Sequence, residues 1–207
     1  LFIIFNYIKN FLPNYKTKKK SNILEKNIYN NFISYNENEK WFCNNLYYLN
    51  SYFNKIDNIE KILEIGSYEG RSAIFFLKTF PLSRIFCVDT WRGIEQNFDK
   101  NIFFYQKNQR LKKIKDTSNN FFKKNSENFD LIYVDGDHAS EQVSLDINNS
   151  WKILNKGGYL ILDDYLWWYY KELDKNPSSP INNFITNNLS EISFLKIWQQ
   201  VIIKKID

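Results

Sequence analysis

Two segments of this 207-residue chain gather acids: Tyr133-Val134-Asp135-Gly136-Asp137-His138, which holds the only histidine, and Leu160-Ile161-Leu162-Asp163-Asp164-Tyr165. In each the acids follow a short apolar run of the kind that forms a buried parallel strand, so they sit where such strands end. Ligands of open α/β sheets bind outside the carboxyl ends of the strands, and both segments should therefore face one crevice. Several carboxylates in one crevice repel and raise each other's pKa unless a proton or a cation neutralises them. A hard divalent ion resolves the conflict, and magnesium, which favours carboxylate oxygens and keeps exchangeable waters, is the ion expected. Such an ion orients a bound hydroxyl and lowers its pKa, which suits transfer of a group to oxygen.

Upstream lies Glu64-Ile65-Gly66-Ser67-Tyr68-Glu69-Gly70, between the apolar run 61–65 and the helix-forming Arg71-Ser72-Ala73-Ile74-Phe75-Phe76-Leu77. A strand that turns into a helix on two glycines lets a ligand approach the backbone closely, because no Cβ intervenes. Dinucleotide loops use G-x-G-x-x-G and rest a pyrophosphate on the helix N-terminus. Here the middle glycine is absent and an acid, Glu64, precedes the loop. That combination suits a ligand without phosphate whose amino-acid end carries an ammonium group. The next apolar run, Ile85-Phe86-Cys87-Val88-Asp89, ends on an acid whose two oxygens can accept both hydroxyls of a ribose. Taken alone, a GxxxG after a strand is turn chemistry; joined to the second-strand acid, it points to a nucleoside ligand.

From Lys61 to the C-terminus, the order of elements together with these motifs resembles the class I S-adenosylmethionine-dependent methyltransferases. The resemblance implies that Glu64, Gly66, Ser67 and Gly70 border the methionine part of S-adenosylmethionine, that Asp89 holds its ribose, and that Thr117 and Ser118 lie near the adenine, with Asp135 also against the cofactor. More narrowly, the two acidic segments resemble metal-dependent O-methyltransferases of the catechol and caffeoyl type, and more closely the sugar-modifying macrocin O-methyltransferase group. On that likeness Asp135, Asp163 and Asp164 are the metal ligands, and Asp137 or His138 is the general base. Where the catechol type carries Asn, this chain has Asp164, which adds negative charge. A histidine titrates usefully near neutrality. The structural alternatives are that Asp137 caps the following helix, with Ser140 as the rival cap, and that Asp163 merely ends a strand.

The elements that must position these residues follow from the texture of the chain. Apolar positions between 22 and 55 recur at helical spacing and predict lead-in helices. After them short apolar runs alternate with amphipathic stretches, the pattern of a parallel sheet covered by helices. Strands are expected at 61–65, 84–88, 111–114, 130–134 and 159–162, and helices at 71–79, 99–109, 118–124, 140–154 and 181–189. The runs 192–197 and 200–205 are joined too tightly for a crossover helix and should pair as an antiparallel hairpin. The fold expected is an α/β Rossmann-like methyltransferase sandwich, with a seven-stranded, mostly parallel sheet, a C-terminal antiparallel hairpin strand and helices on both faces. Residues 1–57 form a helical lead-in and 58–207 the S-adenosylmethionine-binding domain.

Composition bounds the partners. Hydrophobic residues at 43% and charged residues at 25% are those of a globular domain. The net charge of +5 is modest, and its clearest run, Lys16 to Lys20, reads as a solvated linker, so no nucleic-acid partner is expected. The base-methylating Asn-Pro-Pro-aromatic motif is also absent, because Asn176-Pro177 continues with Ser178. Two cysteines, Cys43 and Cys87, make neither a disulfide framework nor a thiolate zinc site. The apolar opening Leu1-Phe2-Ile3-Ile4-Phe5 is interrupted by Asn6, Lys9 and Asn10, so no transmembrane segment is expected, nor a secretory leader. An amphipathic helix there, packed on the domain or on a membrane surface, remains compatible. A cytoplasmic enzyme acting on a small molecule or a sugar follows, with a homodimer left open. Aromatics in Thr90-Trp91-Arg92-Gly93 and Tyr165-Leu166-Trp167-Trp168-Tyr169-Tyr170 could stack on an acceptor ring or pack as loop lids. The rival readings are metal-independent methylation of nitrogen or of nucleic acid, and a methyltransferase-like binding module without catalysis. An oxidoreductase would need the dinucleotide spacing that the loop lacks.

Overall fold

A computed structural model describes residues 15–30, 32 and 41–206. The apolar opening and part of the lead-in stretch lie outside the described residues. The lead-in contributes α1 (Tyr15–Ile28), a short turn at Phe42–Asn44, and α2 (Leu46–Phe53). Then β1 (Lys61–Ile65), α3 (Arg71–Thr79), β2 (Arg84–Asp89), α4 (Glu95–Lys107), β3 (Leu111–Lys115), α5 (Ser118–Lys124), β4 (Phe129–Val134), α6 (Ser140–Ile153), β5 (Leu154–Leu162) and α7 (Ser178–Asn187) alternate. The chain closes with β6 (Ile192–Ile197) and β7 (Val201–Lys205).

The seven strands lie in the order β3-β2-β1-β4-β5-β7-β6. Every pairing from β3 to β5 is parallel, and β7 runs antiparallel to both β5 and β6. The tight connection between β6 and β7 explains the reversed strand, since a parallel neighbour would need a crossover. Side chains alternate across the sheet with period two. Ile62, Cys87, Leu131, Tyr133 and Ile161 face one core with Phe42, Leu46, Phe53, Phe75, Phe76 and Phe98 from the lead-in, α3 and α4. Leu63, Val88, Ile132, Val134 and Leu160 face the other, against Phe121, Ile147, Trp151, Ile181 and Phe184 from α5, α6 and α7. Both faces of the sheet are thus covered, and β1 and β4 can be apolar along nearly their whole length.

Three elements begin well before the sequence expectation. α4 begins at Glu95 rather than at 99, because its polar first turn is anchored to the sheet edge: Lys113 Nζ lies 2.7 Å from Glu95 and 2.6 Å from Asp99. β5 begins at Leu154 rather than at 159, since Gly157, with φ 71°, is absorbed as an irregularity in the pairing with β4 instead of ending it. α7 covers Ser178–Asn187 rather than 181–189, with Pro177 as its N-cap.

In register, Ile65 on β1 pairs with Val88 and Val134, and Val134 pairs with Leu162. Gly66, Asp89, Asp135 and Asp163 therefore emerge at one level on the carboxyl edge of the sheet. The strand order reverses at β1, which has β2 on one side and β4 on the other, and that reversal opens the crevice.

Candidate active site

A cavity of about 960 Å³ occupies this edge, a volume suited to a nucleoside-sized ligand with an acceptor beside it. Its lining runs from Asp116, Thr117 and Ser118, past Gly66, Ser67 and Asp89, to Asp135, His138 and Asp164.

The loop after β1 is held by Asp89. Oδ2 of Asp89 accepts from the backbone N–H groups of Ser67 and Tyr68, both at 2.9 Å, and Oδ1 accepts from Trp91 N–H at 2.7 Å. The acid expected to hold a ribose is thus also the latch that shapes the loop. Gly66, with φ 83°, crosses the β4 tip so closely that a Cβ there would lie 1.9 Å from the carbonyl oxygen of Asp135. Gly70 does a different task. It caps α3 with φ 87° and faces Phe98 and Ile102, so it lies behind the loop and outside the cavity lining.

Glu64 also lies beneath the loop and outside the cavity lining. It is fully buried, and neither carboxylate oxygen has a hydrogen-bond partner; the buried Ser67 hydroxyl has none either. Burial pushes the Glu64 carboxyl up to about 7, while the neighbouring hydroxyls of Ser67 and Ser72 and the thiol of Cys87 pull it back. The Glu64 acceptors lie beneath the glycine turn and do not line the cavity.

At the opposite end of the cavity, Thr117 caps α5 by accepting from Asn120 N–H at 3.2 Å. Ser118 Oγ accepts from Gln142 Nε2 at 3.2 Å. Asn119 and Gln142 exchange amide hydrogen bonds at 3.0 and 3.3 Å, and Gln142 Nε2 also reaches Asp146 Oδ1 at 2.9 Å. Sequence reasoning missed Asn119, Gln142 and Asp146, although the spacing of the last two, one helical turn apart, places them on one face of α6. It also missed Trp41, Phe42 and Asn45 from the lead-in and Arg71 at the start of α3, all of which line the cavity.

The acids of the β4 and β5 tips converge as the strand order requires, but not all in the expected roles. Asp135, His138 and Asp164 each offer a ligand atom, and these atoms lie within 4.8 Å of one another. Asp164 adopts φ 56°, a left-handed conformation that Asp tolerates better than most residues, and its Oδ2 sits 2.7 Å from His138 Nε2. That contact raises the pKa of His138 despite partial burial. Burial, together with the charges of Asp163 and Asp164, pushes the Asp135 carboxyl well above the usual range. A divalent ion among these groups would meet oxygen and imidazole donors that already face one point.

Asp163, expected as a third carboxylate ligand, stands outside that group. Its Oδ2 accepts from Tyr133 Oη and from Gln200 Nε2 at 2.7 Å, and its Oδ1 accepts from Asp164 N–H at 2.7 Å. Burial raises its carboxyl to about 6. Of the two residues considered for the general base, Asp137 is exposed and accepts from Ala139 N–H at 2.8 Å; the N-cap of α6 is Ala139, with no side-chain cap, so neither Asp137 nor Ser140 is the cap expected. Only His138 touches the acid cluster, and its ring packs on Trp167 with centroids 4.7 Å apart. Of the aromatic runs, Trp167 lines the cavity, whereas Trp91 is buried on Phe98 and donates Nε1–H to Tyr68 O at 2.9 Å.

Residues 63–165 match the methyltransferase-domain family. A mimivirus protein, R132 of Acanthamoeba polyphaga mimivirus, is 30% identical over 118 residues, and the chain spans about half the length of this curated relative, the match covering 50% of each. Among solved structures, an O-methyltransferase from Bacillus cereus in complex with S-adenosylhomocysteine is 16% identical, with 98% of this chain and 96% of that one covered and a TM-score of 0.57. The MycE methyltransferase of the mycinamycin biosynthetic pathway, in complex with Mg and S-adenosylhomocysteine, is 16% identical over 77% of this chain and 48% of its own, with a TM-score of 0.60. At these identities the structural likeness establishes the fold and leaves the methyl acceptor open. Through its family match, its sheet order and its glycine loop, the chain carries a methyltransferase domain over residues 63–165 and has the fold of the S-adenosylhomocysteine-bound O-methyltransferases it resembles.

Proposed function

We propose that this protein methylates a hydroxyl group of a small molecule or sugar, and that Asp135 and Asp164 bind a magnesium ion beside the reacting atoms. The observation that carries the reading is the convergence of Asp135, Asp164 and His138 in the same cavity as the Gly66–Ser67 turn and Asp89. Bound magnesium would lower the pKa of the acceptor hydroxyl. Ser67, Asp89 and the Asp116–Ser118 segment would hold the cofactor in the cavity that the acid cluster shares; transfer needs mainly alignment and a deprotonated oxygen. With Asp164 engaged by an ion, His138 Nε2 would be free to receive the hydroxyl proton, and Trp167 would supply a flat wall for an acceptor ring.

The acceptor in this reading is not a nucleic acid. Lys113, Lys115 and Lys124 are each paired with acids. No helix among the described residues is long and apolar enough to cross a membrane. The buried cysteines Cys43 and Cys87 suit a cytoplasmic location.

The test is methyl transfer from labelled S-adenosylmethionine to a panel of catechols and saccharides, with magnesium or with a chelator. Magnesium-dependent labelling of a hydroxyl is expected. Labelling that survives chelation would remove the ion, and cofactor binding without any product would favour a non-catalytic module.

A further inference from the structure

Gln200 sits in the turn between β6 and β7, at the far end of the chain from the other site residues, and is fully buried. Its amide Nε2 donates to Asp163 Oδ2 at 2.7 Å and lies 3.3 Å from Tyr133 Oη, while its own Oε1 has no hydrogen-bond partner. Leaving a buried carbonyl oxygen unpaired is unfavourable, so the arrangement keeps a donor on Asp163 at the expense of its other end. The reverse orientation would set Oε1 against a carboxylate oxygen. Tyr133 is two residues before Asp135 on β4 and shares its face; it is fully buried, and its ring is wedged between Phe42 and Phe76, with centroids 6.0 and 5.5 Å away. Its hydroxyl touches both Asp163 and, at 3.2 Å, Asp135 Oδ2. Three elements remote in sequence thus meet on one carboxylate.

We infer that Gln200 and Tyr133 are positioning residues of the acidic site: they hold the Asp163 carboxylate against the sheet so that the left-handed turn at Asp164 presents its own carboxylate to Asp135 and His138. The C-terminal hairpin thereby buttresses the ion site as well as completing the sheet. Asp163 Oδ1, bonded to Asp164 N–H, transmits the constraint from the hairpin to the next residue. The inference rests on the ion-binding reading above.

The experiment measures Mn²⁺ affinity by electron paramagnetic resonance, without cofactor or acceptor, for the wild type, Gln200→Met and Tyr133→Phe. Calorimetric affinity for S-adenosylhomocysteine is measured on the same preparations. Loss of a positioning partner should weaken Mn²⁺ binding about 10- to 100-fold in each variant while leaving S-adenosylhomocysteine affinity within about threefold. Tyr133→Phe retains the buried ring, so it keeps the test decisive should Gln200→Met fail to fold. Mn²⁺ affinity within about twofold of wild type in the folded variants would overturn this inference alone. A wild type that binds S-adenosylhomocysteine but no Mn²⁺ would overturn the ion reading and this inference with it.

Discussion

Nε2 of His138 and Oδ2 of Asp164 meet at 2.7 Å, joining the candidate base to a candidate ion ligand. The proton on His138 and a cation therefore compete for one carboxylate. With Asp164 turned to His138, the imidazole holds its proton more tightly; with Asp164 turned away, it is released to act as a base.

The chain has a single histidine, so its titration by NMR is unambiguous. In ion-free protein the pKa of His138 should lie above its ordinary value of 6.5, chiefly because of the Asp164 hydrogen bond. Asp164→Asn should lower it. An unchanged titration in that variant would break the proposed coupling.

Asp164→Ala should abolish turnover while leaving S-adenosylhomocysteine affinity nearly intact, because the cofactor turn is fixed by Asp89 and not by the acids of β5. His138→Asn should cut kcat by roughly 10²- to 10⁴-fold, the usual contribution of a general base. Asp137→Asn, which alters an exposed carboxylate bonded to Ala139 N–H, should be far milder; the reverse ranking would move the base to Asp137.

Asp89→Ala should weaken cofactor binding and also destabilise the fold by about 1–3 kcal/mol, since three backbone N–H groups lose their acceptor. Gly66→Ala should be worse, at about 3 kcal/mol or more, because the strained φ and the clash with the Asp135 carbonyl act together. Denaturant melts and S-adenosylhomocysteine calorimetry on both variants check this. A Gly66→Ala protein that binds normally would contradict the close crossing of the two strand tips.

Glu64 makes stability depend on pH. Its folded pKa, about 7, is raised above the ordinary 4.5, so its stabilising contribution is fully present below pH 4.5 and is lost as pH rises through 7. The difference between these limits is on the order of 3 kcal/mol. Unfolding free energy measured across this window should fall in the wild type and fall less in Glu64→Gln. Equal slopes would place the titrating group elsewhere.

The fold was legible because most strands are short apolar runs separated by helical stretches, and the runs of the tail are joined too tightly for a crossover. The strand tips were legible for the same reason: Gly66, Asp89 and Asp135 follow directly from where the runs end. Lateral partnerships were not. That Gln200 reaches Asp163 depends on β7 inserting between β5 and β6, and no local pattern announces which strand lies beside which. Gly70 read as a ligand-facing glycine because a left-handed helix cap and a cofactor cradle both select the same residue. Asp163 and Asp164 are indistinguishable in sequence; the left-handed backbone at the second turns their carboxylates to different partners.

The most direct test of the whole account is a crystal structure with S-adenosylhomocysteine and Mn²⁺, with anomalous scattering used to locate the ion. The account predicts the nucleoside lying over Gly66 with its ribose at Asp89, and one anomalous peak between Asp135 and Asp164. A peak elsewhere, or a nucleoside bound away from that turn, would contradict it.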